Sequence, residues 1–374
     1  MNANLQRQLQ SAKTITSVLH LAKSDPRLVA TPDQFDRDAW LLNTPAGTVE
    51  LKTGQMREHR RSDCITKITA VSPGGDYPQW RAFIDQTTGG DADSTGFIQR
   101  MCGYALTGST QEQCLFFLYG RGANGKSVLL NTVAGVLGDD YHKTAPIETF
   151  TESHTERHPT ELAGLRGARL VTAIETEEGR RWNETKIKTL TGGDKIAARF
   201  MRGNFFEYTP QFKLVIAGNH KPSLRTVDEA IRRRFHLVPF LTTIPPEKRD
   251  KNLTEKLKVE RSGILQWMIE GCLAWQRDGL NPPAAVRDAT AEYLEAEDAI
   301  ATWLADCCTI DPDARESSTE LFRSWSAWAN LAKEPVGSQR AFCQKLEARF
   351  RPHRTKKERG FLGLRIKEPG KVEW

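Results

Sequence analysis

The segment Phe117–Gly135, FLYGRGANGKSVLLNTVAG, leaves a chain little choice of local structure. An apolar run, Cys114–Tyr119, leads into Gly120, and glycine recurs at 122 and 125 just ahead of Lys126 and Ser127. Leu129, Leu130, Val133, Val136 and Leu137 then repeat at helical spacing up to Gly138. The spacing predicts a strand, a tight glycine turn and an amphipathic helix. Residues Gly120 to Ser127 complete the pattern G-x-x-x-x-G-K-[ST]. In such a turn successive backbone N–H groups surround phosphate oxygens, and side chains larger than hydrogen obstruct the curvature. Gly120, Gly122, Ala123, Asn124 and Gly125 are expected to form the cradle. Lys126 is expected to reach the β- and γ-phosphates, and the Ser127 hydroxyl to bind Mg²⁺. ATP and Mg²⁺ are therefore the expected cofactors.

Phosphoryl transfer needs more than a cradle: a carboxylate beside the metal, a group that orients water, and positive charge on the γ-phosphate. The apolar stretch ARLVTAIETEEG ends in Glu175, Glu177 and Glu178. Glu175 is the candidate for the metal side and Glu177 for activating water. A third apolar stretch, FKLVIAGNHKP, ends in Asn219, whose amide can hydrogen-bond the γ-phosphate and the water together. Arg232, Arg233 and Arg234 stand directly before a fourth, FHLVPF. Arg233 and Arg234, nearest that strand, are the candidates to enter a neighbouring subunit's nucleotide pocket. Taken singly, each of these is an ordinary acidic loop, turn residue or surface charge. Their order within about 115 residues is what favours a catalytic set.

The alternation of strands and helices from about 113 to 240 predicts an α/β domain with a largely parallel sheet. Around it the chain divides at composition shifts. Residues 1–110 read as an N-terminal α+β and helical region, with a helix near the start, a hairpin in 41–67 and helices over 78–107 broken by a polar interruption at 87–95. Residues 111–245 read as the ATPase core, 246–316 as a helical continuation with the acidic DPDARESS as linker, and 317–374 as a small domain. Seven scattered cysteines without a CxxC pair indicate neither zinc nor a disulfide framework, and no apolar run approaches the roughly 18 residues of a membrane span. The N-terminus lacks the apolar stretch of a signal peptide, and with the scattered cysteines a reducing cytoplasm is the expected setting and no membrane partner is expected. The net charge of +6 permits nucleic-acid binding, and the segment 349–367 concentrates eight Lys or Arg against one Glu.

On GRGANGKS, ARLVTAIETEEGRRWNETKIKTLTGGDKIAARF, FKLVIAGNHKP and DEAIRRRFHLVPF, the chain resembles the superfamily 3 helicases. The likeness is to the helicase region of the primase–helicases of phages, plasmids and poxviruses, and it covers most of the chain. It implies an AAA+-type core and a ring, usually a hexamer, with Mg-ATP hydrolysed between subunits. It also implies 3′→5′ movement on single-stranded and forked DNA during replication of a mobile element. By the same resemblance GGDKIAARFMRGNFFEYTP is a hairpin lining the ring's channel, where Lys195, Arg199 and Arg202 track phosphates without reading sequence. The C-terminal stretch is similar to a winged helix, which brings Arg354, Lys356 and Lys357 to DNA; a docking domain for a replication partner is the alternative. Residues 1–111 carry no aspartate-rich primase site, so primer synthesis is not expected and a separate primase is a candidate partner. Two other functions use the same cradle. A small-molecule kinase would lack the asparagine and arginine elements in this order, whereas an ATP-switched DNA-binding or origin-loading protein would share them.

Overall fold

The computed structural model describes residues 3–367 except 27, 153–159, 176–179, 225–226, 335, 348 and 355–358. The N-terminal region begins with α1 (Ala3–Leu9) and α2 (Ala12–Ala22), neither of which buries a residue. A three-stranded antiparallel sheet follows: β1 (Leu41–Thr44), β2 (Gly47–Glu50) and β3 (Gln55–Arg57). Then come α3 (Pro78–Thr88) and α4 (Ala92–Leu106). The polar interruption between them is a pair of caps. Gly89 closes α3 in the left-handed region, and the Asp91 carboxylate accepts the Asp93 and Ser94 amides at the start of α4.

The central layer comprises β4 (Leu115–Tyr119), α5 (Lys126–Tyr141), β5 (His142–Thr144), α6 (Thr160–Ala163), β6 (Leu170–Glu175), α7 (Glu184–Gly192), β7 (Ile196–Ala198), β8 (Phe206–Tyr208), β9 (Lys213–Gly218), α8 (Glu229–Arg232) and β10 (Phe235–Pro239). Five of these strands make one sheet in the order β10-β4-β9-β6-β5, every neighbouring pair parallel. Alternate residues feed opposite cores, as strand pleating requires. Phe116, Leu118, Val215 and Ala217 pack with α4 and α5 on one face, while Leu115, Phe117, Leu214 and Ile216 pack with Trp182 and Ile187 on the other. Gly138 adopts φ 70° inside α5 and breaks the helix where the apolar spacing ends.

The helical continuation is α9 (Leu253–Val259), α10 (Arg261–Asp278), α11 (Ala284–Ala296) and α12 (Ala299–Cys307). The stretch 255–279, which reads as one helix in sequence, is divided at Glu260. That carboxylate accepts the Gln79 and Trp80 amides at 3.0 and 2.9 Å, supplying the cap that α3 lacks locally. The C-terminal unit adds β11 (Cys308–Ser317), α13 (Ser318–Leu331), α14 (Gln339–Glu347), β12 (Pro352–Arg354) and β13 (Arg359–Ile366). DPDARESS is therefore not a linker. It lies mostly in β11, an edge strand paired with β13, and its register shifts between Ile310 and Arg315. Charged residues and a bulge suit a sheet edge, which explains why the segment looks unstructured in sequence. Ile300, Trp303 and Cys308 share a core with Leu321, Trp325 and Phe342, so this packing unit starts near 299 rather than 317.

Two buried cations join the N-terminal region to the sheet. Arg169 donates to the carbonyls of Leu106 and Leu41, each at 2.6 Å, and lies over the Tyr141 ring. Lys213 donates to the carbonyls of Thr107, Ser109 and Gln211. Burial pushes the pKa of both downward, and the positive charge of Arg169 lowers that of Lys213 further. The carbonyls freed at the C-terminal end of α4 compensate them, since that end carries partial negative charge. Among the described residues no helix is long and apolar enough to cross a membrane.

Candidate nucleotide site and its surroundings

The parallel sheet brings the sequence-predicted elements to one edge. Tyr119 pairs with Gly218 and with Pro239, and Gly218 pairs with Glu175, so four strands end in a single row. The residues that follow, Gly120 after β4 and Asn219 after β9, start their loops side by side. Strand order and register produce this convergence, and neither is visible along the chain.

Gly120 and Gly125 are required by space and conformation, whereas Gly122 has open space where a Cβ would lie. Gly120 has φ 153°, and a Cβ there would lie 2.1 Å from the Phe240 carbonyl oxygen and 2.6 Å from Asn124 Nδ2. Gly125 has φ 89°, and its Cβ would sit 2.5 Å from Thr87 Cγ2. Ala123 also takes a positive φ, 62°, an uncommon conformation for a residue with a side chain. Asn124 is buried and donates through Nδ2 to the Phe240 carbonyl at 2.8 Å, tying the turn to the end of β10.

Lys126, the first residue of α5, is buried at 6% exposure. Its Nζ donates to the Gly120 carbonyl at 2.5 Å, to Asn124 Oδ1 at 3.1 Å and to Asn219 Oδ1 at 3.3 Å. All three acceptors are neutral, and burial alone lowers the lysine pKa. A buried ammonium held by neutral oxygens at a helix N-terminus fits an anionic phosphate. Ser127 follows it on the exposed side of the first turn, with an oxygen suited to a hard cation. The main chain of Glu175 ends β6 in the same row; Glu177 lies outside the described residues. Beside the turn opens a cleft of about 530 Å³, lined by Phe83, Gln86, Val128, Ile244, Arg249 and Leu253 among others. Sequence reasoning found only its Ala123 and Gly125 edge; the other walls come from the distant segments 79–86 and 244–253.

The arginine cluster divides into three environments. Arg232 reaches Asp298 at 3.4 Å, Arg233 is exposed, and Arg234 is buried. Arg234 donates to Thr191 Oγ1 at 3.1 Å and to the Ala230 carbonyl at 2.7 Å. Pairing it with Arg233 as a residue directed at a neighbouring molecule is thus corrected: its place at the start of a buried strand turns it inward.

The stretch 192–210 forms the expected hairpin, with β7 antiparallel to β8. Lys195 and Arg202 are exposed, while Arg199 is half-buried with its guanidinium 4.7 Å from the Phe205 ring centre. The tip is also apolar: Phe200, Met201 and Phe205 are 51%, 72% and 62% exposed. Attention to charge alone passes over these side chains. In the C-terminal unit Arg354 is exposed in β12, and Lys356 and Lys357 lie outside the described residues. A cleft of about 680 Å³ runs between α14 and the sheet, bordered by Arg340, His353, Arg354 and Arg359.

A parallel sheet whose second strand carries a glycine turn, with a buried lysine opening the next helix, defines a P-loop nucleotide-binding fold. Comparison with known proteins narrows this. Residues 3–89 match the family described as D5 N terminal like, and residues 118–234 match a family of unknown function (DUF5906). Two viral proteins assigned as helicases by prediction align with most of the chain. L207/L206 of Acanthamoeba polyphaga mimivirus is 25% identical over 79% of this chain and 33% of its own length. For 022R of Frog virus 3 (isolate Goorha) the figures are 26%, 67% and 28%. Primase D5 of Fowlpox virus (strain NVSL) is 26% identical over 44% of this chain and 21% of its own. The C-terminal region of NrS-1 (305-718) has a similar fold, with TM-score 0.50 at 10% identity over 79% of this chain and 77% of that one. Across these matches the chain is similar to primase–helicases of the D5 type. It spans about a third of the length of the mimivirus relative.

Proposed function

We propose that this chain is the ATP-hydrolysing motor of a DNA helicase that serves replication of a phage, plasmid or other mobile element. The observation that carries the reading is the meeting of Lys126 and Asn219, 93 residues apart, over the turn that follows β4. A lysine alone could bind any phosphate. An amide from a separate strand beside it is placed to sense the terminal phosphoryl group and orient a water.

In this reading the backbone N–H groups of 120–127 and Lys126 hold the phosphates, and the 530 Å³ cleft takes the nucleoside. Ser127 and Glu175 would hold Mg²⁺, which supplies charge stabilisation on the β- and γ-oxygens when bound. Glu177 positions and deprotonates the water. Arg233, exposed at the end of α8, completes the pocket of the next subunit in an AAA+-type ring, with a hexamer as the expected closed form. The hairpin faces the channel: Lys195 and Arg202 contact phosphates, and Phe200 and Phe205 offer faces on which bases stack. Movement is 3′→5′ on single-stranded DNA. The C-terminal unit acts as a winged helix that holds duplex DNA through Arg340, Arg354 and Arg359.

The test is strand displacement on a forked duplex, measured together with ATP hydrolysis in the presence and absence of DNA. Displacement with DNA-stimulated hydrolysis is the expected result. Hydrolysis without displacement would move the protein to an ATP-switched DNA-binding or origin-loading role. Absence of hydrolysis by a folded, ring-forming preparation would overturn both.

A further inference from the structure

At the junction of α11 and α12 two consecutive carboxylates hold parts of the core that adjoin the catalytic candidates. Glu297 accepts the Leu224 amide at 2.7 Å, five residues beyond Asn219. Asp298 is 6% exposed, and its Oδ1 caps α12 by accepting the Ala301 amide at 3.1 Å. Its Oδ2 takes two guanidinium groups. One belongs to Arg232, at 3.4 Å, the last residue of α8 and the neighbour of Arg233. The other belongs to Arg349, from the segment that follows α14 in the C-terminal unit.

One carboxylate oxygen shared by two arginines leaves a net positive charge, and the two donors compete for it. The contact with Arg349 is the closer, so Arg232 has the weaker share. A cavity of about 360 Å³ lies along the same seam, bordered by Val227, Asp228, Ile300, Lys345 and Arg349. Arg349 sits in the basic segment and is exposed, yet its guanidinium also pairs with Asp298.

We propose that Asp298 is a positioning residue for Arg233, and that the Arg349–Asp298 contact makes the hold on α8 depend on where the segment that follows α14 sits. When Arg349 withdraws, the whole carboxylate charge falls on Arg232, and α8 is held more firmly. The role in turnover rests on the proposed ATP hydrolysis with Arg233 acting between subunits; the mechanical coupling does not.

The two parts are separated by two measurements on the full chain. Hydrogen exchange, without nucleotide or DNA, reads the amides of residues 229–234 in Arg349→Gln and Asp298→Asn. Coupling requires opposite signs: slower exchange in Arg349→Gln, and exchange faster by about ten-fold in Asp298→Asn. Two variants that both loosen the segment, or that leave it unchanged, overturn the proposal, because mere packing gives that pattern. Steady-state hydrolysis then tests positioning. Asp298→Asn should lower kcat about ten-fold with KM for ATP within about two-fold, and Asp298→Glu should restore most of it. Arg349→Gln should raise DNA-independent kcat and shrink the stimulation by DNA. Equal losses in kcat and nucleotide affinity would overturn the positioning role. A wild-type chain without hydrolysis would defeat the proposed function while the exchange result still judged the coupling.

Discussion

Replacing Lys126 by alanine separates its cost to the fold from its cost to turnover. The side chain makes three hydrogen bonds, to Gly120, Asn124 and Asn219. A buried acceptor left without a donor costs about 1–3 kcal/mol. Here the loss is smaller, because residues 121–123 are exposed and water can enter the space that the ammonium leaves. Removing the lysine also relieves the burial of a cation, the sole cause that lowers its pKa. The two effects oppose each other, so the stability of Lys126→Ala should fall by no more than about 2 kcal/mol. Turnover loses a preorganised cation where negative charge develops. An electrostatic interaction of that kind is worth about 3–4 kcal/mol, or roughly 10²–10³ in rate. The assay is steady-state phosphate release from ATP, with thermal unfolding of the same preparation as control. A Lys126→Ala protein that unfolds near the wild-type temperature and hydrolyses ATP within about ten-fold of wild type would refute the reasoning.

Gly120→Ala should abolish nucleotide binding, because its Cβ would meet the Phe240 carbonyl at 2.1 Å in a backbone region that side chains avoid; fluorescent-nucleotide titration reads this, and retained affinity would count against the cradle. Arg233→Ala should leave thermal stability unchanged and stop hydrolysis, with activity recovered on mixing with Lys126→Ala. Arg234→Ala should instead lower stability by about 1–3 kcal/mol by removing its buried hydrogen bonds. His236 packs between Phe97 and Phe116, and burial pushes its pKa from 6.5 down to about 4. The unfolded chain therefore binds this proton first, and stability present above pH 6.5 is lost as pH falls toward 4, by about 2 kcal/mol at pH 5. Denaturant midpoints across that range should flatten in His236→Phe; an unchanged slope would mean that the ring is protonated in the folded state. Neutralising Arg340, Arg354 and Arg359 together should lower the salt dependence of duplex DNA binding by about one unit of slope for each phosphate that is no longer neutralised. An unchanged slope would favour protein docking by the C-terminal unit.

The features legible in the sequence were those set by neighbours along the chain. Glycine spacing located the turn after β4, continuous apolar runs located β4, β6, β9 and β10, and the family resemblance marked 192–210 as a hairpin. Lys126 was identified from the G-x-x-x-x-G-K-[ST] pattern and Asn219 from the end of a strand. Local reading failed where a partner lies far away. DPDARESS looked like a linker because its strand partner, β13, comes some 50 residues later, and an edge strand tolerates the charges that suggested a loop. Arg233 and Arg234 looked alike, although one faces solvent and the other bonds Thr191.

By itself, then, the sequence determined a glycine turn, the strands that flank it and the side chains available at their ends, since backbone curvature and periodicity are local properties. Tertiary structure alone decided that β4 lies between β10 and β9, and hence that Lys126 meets Asn219. It also decided that Arg169 and Lys213 go inside and that Asp298 receives arginines from both the core and the C-terminal unit. The reason is physical. A buried charge is tolerated only where acceptors from other segments converge on it, and that convergence depends on strand order and packing rather than on spacing along the chain.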